Sequence, residues 1–102
     1  METNKNRIAL EGAIADLIPT YLANRKREVL ELRAALAAHD LDRVQYLAHR
    51  MRGGGAAYGF PDITLLGRRI ENTAHDGQPH QIESLIDEYD GYLRNVSVTL
   101  GM

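Results

Sequence analysis

The sequence contains no cysteine. Disulfides and thiolate metal sites are therefore excluded, and the fold has no need of an oxidising compartment. A basic surplus is also missing: 12 Lys and Arg stand against 14 Asp and Glu, for a net charge of −2. Proteins that read nucleic acid usually carry positive excess, so no nucleic-acid partner is expected. One basic cluster, Arg25-Lys26-Arg27, is followed at once by Glu28 and Glu31 and reads as a solvated helix face. No uncharged apolar run approaches the roughly 20 residues of a membrane span. Met1–Arg7 is polar rather than signal-like, so the expectation is a cytoplasmic chain with no membrane partner. Aromatic residues make up only 6%, and β-branched residues never alternate for long, which argues against strands.

What is present is helical periodicity. With 102 residues the chain is long enough for one domain and one modest core. Apolar residues recur at spacings of three and four. Asn4–Ile18 reads as a short leading helix, and Pro19, uncomfortable inside a helix, reads as the start of a second running to Ala38. Asp40 is a good N-cap for a third helix from Leu41 to about Gly59. Pro61 opens a fourth to about His75, Asp76-Gly77-Gln78 is a turn, and Pro79 begins the last. That last helix has a clean apolar stripe of Ile82, Leu85, Ile86, Tyr89, Leu93 and Val96. The expected fold is all-α: an antiparallel up-down-up-down four-helix bundle with a short additional N-terminal helix. It forms a single domain over 1–102, with 1–6 and 100–102 as frayed ends. The starting methionine and polar first residues fit a free-standing chain, and a monomer is expected.

The informative segment is Ala48-His49-Arg50-Met51-Arg52-Gly53-Gly54-Gly55-Ala56-Ala57-Tyr58-Gly59. Periodicity puts Val44, Leu47, Ala48, Met51, Gly55 and Tyr58 on the core stripe. His49 falls beside it, on a partly exposed face with Gln45, Arg52, Gly53 and Ala56. Three consecutive glycines inside a helix cost on the order of 3 kcal/mol against alanine, so packing or access must offset them, unless they break the helix into a loop. A bulkier residue at Gly53 would crowd the space above the imidazole, while Gly54 and Gly55 point towards neighbouring helices. The glycines do not make a nucleotide loop, because the terminal Lys-Ser or Lys-Thr after a strand is missing.

The segment resembles the signature of histidine-containing phosphotransfer (HPt) domains. In that signature a helical A-H-x-[LM]-[KR]-G is followed by small residues and a further glycine. Here it stands as Ala48 to Gly55, then Gly59, then Leu66 and Glu71, and the similarity spans about Leu30 to Leu93. The resemblance implies that His49 is a phosphoryl acceptor and that Arg52, in place of the family's usual lysine, holds phosphoryl oxygens. It implies that Gly53 clears the approach and that Glu71 orients the imidazole. An imidazole suits the work: its ordinary pKa near 6.5 leaves a neutral nucleophilic nitrogen at cytoplasmic pH. Arginine keeps the charge but differs from lysine in reach and geometry, so transfer rates should be affected and function retained.

The chain is then a phosphocarrier and not an autonomous enzyme, with no cofactor or metal of its own. Its expected partners are response-regulator receiver domains, which supply the phospho-aspartate and Mg²⁺, and a hybrid histidine kinase. Docking is expected around His49 through Gln45, Ala56 and the leading helix at Ile14 and Leu17. The alternative is a helical docking module that binds a kinase or receiver without being phosphorylated. His39 and His75 are explained by the favourable dipole at helix C-termini, and a zinc site from His75 and His80 lacks further ligands.

Overall fold

The computed structural model describes residues 2–101, with side-chain surroundings from residue 15 onward. All of its regular structure is helical, in four helices: α1 (Glu2–Ala37), α2 (Leu41–Arg52), α3 (Pro61–His75) and α4 (Pro79–Thr99). Successive helices pack against one another, and α1 also packs against α4, with α2 and α3 the most intimate pair. Each contributes the stripe that its apolar spacing dictates. Leu22, Val29 and Leu32 come from α1, Val44, Leu47 and Met51 from α2, Ile63 and Ile70 from α3, and Ile82, Ile86, Tyr89 and Leu93 from α4. Tyr89 and Met51 are fully buried core residues, and Tyr92 packs half-buried at the edge.

The helix starts follow local chemistry. Asp40 caps α2, its Oδ1 accepting from the Arg43 N–H at 3.1 Å, which satisfies one of the orphan donors of the first turn. Pro61 and Pro79 occupy first-turn positions of α3 and α4, where a missing N–H costs nothing. Gly59 and Gly77 end their turns at φ of +88° and +69°, a region that L side chains rarely adopt. His39 follows α1 at φ +56°, a left-handed closing position without glycine's freedom.

Two sequence expectations are corrected. There is no separate short N-terminal helix, because α1 runs through Pro19 as one helix of 36 residues, roughly 54 Å long. Proline removes one hydrogen bond of the ladder, yet its fixed φ fits a helix. The next turn is held by Tyr21 and Leu22, which are 7% and 0% exposed, so tertiary packing outweighs the missing rung. The second correction concerns the glycines. They do not lie inside α2, which stops at Arg52; Gly53–Gly59 form a succession of turns leading to α3.

Candidate functional site

The site is built where the end of α2 lies against the middle of α3. His49 sits one turn before the end of α2, on the face beside the buried stripe, and its side chain is 61% exposed. Glu71 faces it from α3. His49 Nδ1 is hydrogen-bonded to Glu71 Oε2 at 2.6 Å, and Arg52 Nη1 forms an ion pair with Glu71 Oε1 at 3.1 Å. Arg52 follows His49 by three residues, so both project from one side of α2. Glu71 is only 14% exposed. A carboxylate so enclosed needs its oxygens satisfied, and here one oxygen goes to each partner.

The contact selects a tautomer for the neutral ring. An ionised carboxylate can only accept, so the hydrogen must be on Nδ1. The neutral imidazole then carries its lone pair on Nε2, the nitrogen away from Glu71. The contact with Glu71 is the one hydrogen bond of the His49 side chain among the described residues. The guanidinium of Arg52 has five N–H donors, so pairing with Glu71 leaves donors for an anion brought to the exposed nitrogen.

The three glycines behave differently. A Cβ on Gly53 would meet only the Arg50 carbonyl, at 3.4 Å, and otherwise points to open space. A Cβ on Gly54 would lie 3.4 Å from the Tyr21 ring, an ordinary contact. On Gly55 it would fall 2.6 Å from Thr64 Oγ1 and 2.7 Å from the Phe60 carbonyl, which no side chain can tolerate. Gly55 is therefore a packing requirement, whereas Gly53 leaves the surface beside His49 flat.

Two residues of the site do not stand out in the sequence. Thr64 Oγ1 donates to the Arg52 carbonyl at 3.0 Å and accepts the Ala56 N–H at 3.2 Å. Gly67 lets α2 approach, since a Cβ there would be 3.0 Å from Arg52 Cβ and 3.2 Å from the Ala48 carbonyl. A threonine or a glycine within an amphipathic helix carries no local signal of such contacts. The spacing of 64, 67 and 71 on one helical face is the trace that could have marked them.

Of the expected docking residues, Gln45 is half-buried on α2 one turn before His49, and Ala56 is exposed in the glycine turns. Leu17 is 52% exposed on α1. It is brought to a shallow groove of about 380 Å³ that also takes in Tyr21, Arg50, Gly54 and Tyr58. The side chain of Ile14 lies outside the described residues. Arg50, next to His49, extends over the exposed Tyr46 ring at 5.7 Å. Tyr21 stacks on Tyr58 at 4.1 Å between centroids, which ties α1 to the glycine turns. Among the described residues no group of three or more His, Asp or Glu side chains is arranged to hold a metal ion.

With this geometry in place, the comparison with known families is decisive. The family model of the Hpt domain matches residues 16–97, most of the chain. The chain belongs to the Hpt domain family. Hpt domains are phosphocarrier modules of two-component signalling, and they work with histidine kinases and response regulators. No curated protein and no solved structure matches the chain. The match starts at Asp16, so the first turns of α1 precede the matched part. No helix among the described residues is long and apolar enough to cross a membrane.

Proposed function

We propose that this Hpt domain relays a phosphoryl group through Nε2 of His49, receiving it from one receiver domain or hybrid kinase and passing it to another receiver. The observation that carries this reading is the hydrogen bond from His49 Nδ1 to Glu71 on a ring that is otherwise exposed. A histidine that only packed or only solvated a helix would have no need of a dedicated, enclosed carboxylate.

The lone pair on Nε2 attacks the phosphorus of an aspartyl phosphate in the receiver. The N–P bond forms as the aspartyl O–P bond breaks, and the aspartate leaves as a carboxylate. The ring becomes cationic, with its proton still on Nδ1, and the negative charge of Glu71 offsets that cation at 2.6 Å. Arg52 neutralises phosphoryl oxygens with the donors not used by Glu71, and Gly53 leaves room for the receiver. Such chemistry asks for positioning and charge neutralisation rather than a covalent catalyst. The receiver contributes its own Mg²⁺ and lysine, and this chain acts as carrier, not as an autonomous enzyme. The short connections between the helices support an up-down-up-down bundle, and the expected setting is a cytoplasmic monomer.

The test is incubation with a phosphorylated receiver domain, following acid-labile and base-stable label on this chain. The expected result is labelling that is abolished by His49→Gln. Absence of label, or equal label after the substitution, would favour a docking module without phosphorylation.

A further inference from the structure

In an uninterrupted helix the Arg52 carbonyl would accept from the N–H of Ala56, four residues on. Instead the Thr64 hydroxyl stands between them, donating to the carbonyl at 3.0 Å and accepting from the N–H at 3.2 Å. A side chain inserted in the ladder is a recognised cause of helix interruption, and α2 ends at Arg52. Gly55 makes the insertion sterically possible, because any Cβ there would occupy the hydroxyl's position, at 2.6 Å. One turn along α3, Gly67 admits the base of the Arg52 side chain, with only 3.0 Å between the Arg52 Cβ and a Cβ built on Gly67. One further turn along, Glu71 holds the guanidinium at 3.1 Å. Arg52 is thus gripped at carbonyl, Cβ and guanidinium by a single face of α3.

We propose that Thr64 and Gly67 are positioning residues for phosphoryl transfer, acting through Arg52: they fix where its backbone leaves α2, so that the guanidinium reaches Glu71 and the phosphoryl oxygens together. The inference rests on the reading of His49 as the phosphoryl acceptor. It follows that this chain is built around arginine. A lysine at 52 has one nitrogen on a flexible stem and cannot span the carboxylate and the phosphoryl group in the same way.

The experiment is a single-turnover transfer from a phosphorylated receiver to this chain, with receiver concentration varied. Thr64→Val removes the hydroxyl at nearly constant volume, and Thr64→Ser retains it. The expected result is a rate constant at saturating receiver lowered about fivefold by Thr64→Val, the order of one hydrogen bond. Half-saturation should be unchanged, and Thr64→Ser should restore the rate. Gly67→Ala, which displaces Arg52 by a different route, should also lower the rate. Because the effect runs through Arg52, Thr64→Val should add nothing in an Arg52→Ala background. An unchanged rate in Thr64→Val, or a full additional loss on top of Arg52→Ala, overturns the proposal while leaving His49 as acceptor. An unlabelled wild-type chain overturns both.

Discussion

Substituting alanine at each of the three consecutive glycines separates packing from access. At Gly55 the new methyl would sit 2.6 Å from Thr64 Oγ1, 2.7 Å from the Phe60 carbonyl and 2.8 Å from the Thr64 nitrogen. Two of these are backbone atoms, so the clash cannot be relieved by a rotamer change. Overpacking of this kind costs about 1–3 kcal/mol. Expelling the hydroxyl also gives up its bonds to Arg52 and Ala56, at roughly 1 kcal/mol each. A total of about 3–5 kcal/mol should lower the melting temperature by about 12–40 °C in a domain of this size. Gly53 is the opposite case. Its backbone is right-handed helical, at φ −70° and ψ −22°, and a methyl there is unobstructed. Gly53→Ala should stabilise the fold by about 0.4–1 kcal/mol through the unfolded chain, and should weaken receiver docking by roughening the surface beside His49. Thermal unfolding followed by far-UV circular dichroism reads both stability changes. The reasoning is refuted if Gly55→Ala melts close to the wild type, or if Gly53→Ala is the more damaging of the two.

Other perturbations probe other parts of the account. Glu71→Ala should slow phosphoryl transfer to His49 about tenfold or more, the order of a charged hydrogen bond, and Glu71→Gln should slow it less; single-turnover kinetics at the wild-type rate would remove Glu71 from the site. Glu28 is buried at 8% exposure, and although Arg25 donates to its Oε1 at 2.6 Å, Oε2 has no partner among the described residues. Burial raises its carboxyl above the ordinary 4.5, so folding favours the protonated form and wild-type stability declines as pH rises from about that value through the raised one. Urea titrations at acid and neutral pH should therefore show Glu28→Gln gaining on the wild type as pH increases, and a pH-independent difference would contradict this. His39→Gly should raise stability by about 0.5–1 kcal/mol, since His39 occupies a left-handed closing position at φ +56°; a loss on denaturation would count against strain there.

Much of the fold is legible residue by residue. The starts of α2, α3 and α4 coincide with Asp40, Pro61 and Pro79 because caps and first-turn prolines act locally. The core stripes of α2 to α4 follow from spacing alone. What is not legible has tertiary causes. Pro19 looks like a boundary, and only the burial of Tyr21 and Leu22 in the following turn carries α1 through it. The glycines look like a costly helix interior, and only Thr64, reaching across from α3, shows why the helix stops before them. His49 and Arg52 can be paired by helical spacing, but Glu71 is 22 residues from His49. No periodicity connects two helices, so the family resemblance alone linked these two before the fold did.

The central claim is that His49 carries the phosphoryl group on the nitrogen that Glu71 leaves free. The most direct measurement is nitrogen-15 and phosphorus-31 NMR of the chain after transfer from a phosphorylated receiver. The expected product is a single phosphorylated histidine, His49, with the N–P bond at Nε2 and the proton retained at Nδ1. A phosphoryl group on Nδ1, on another histidine, or absent altogether would contradict it.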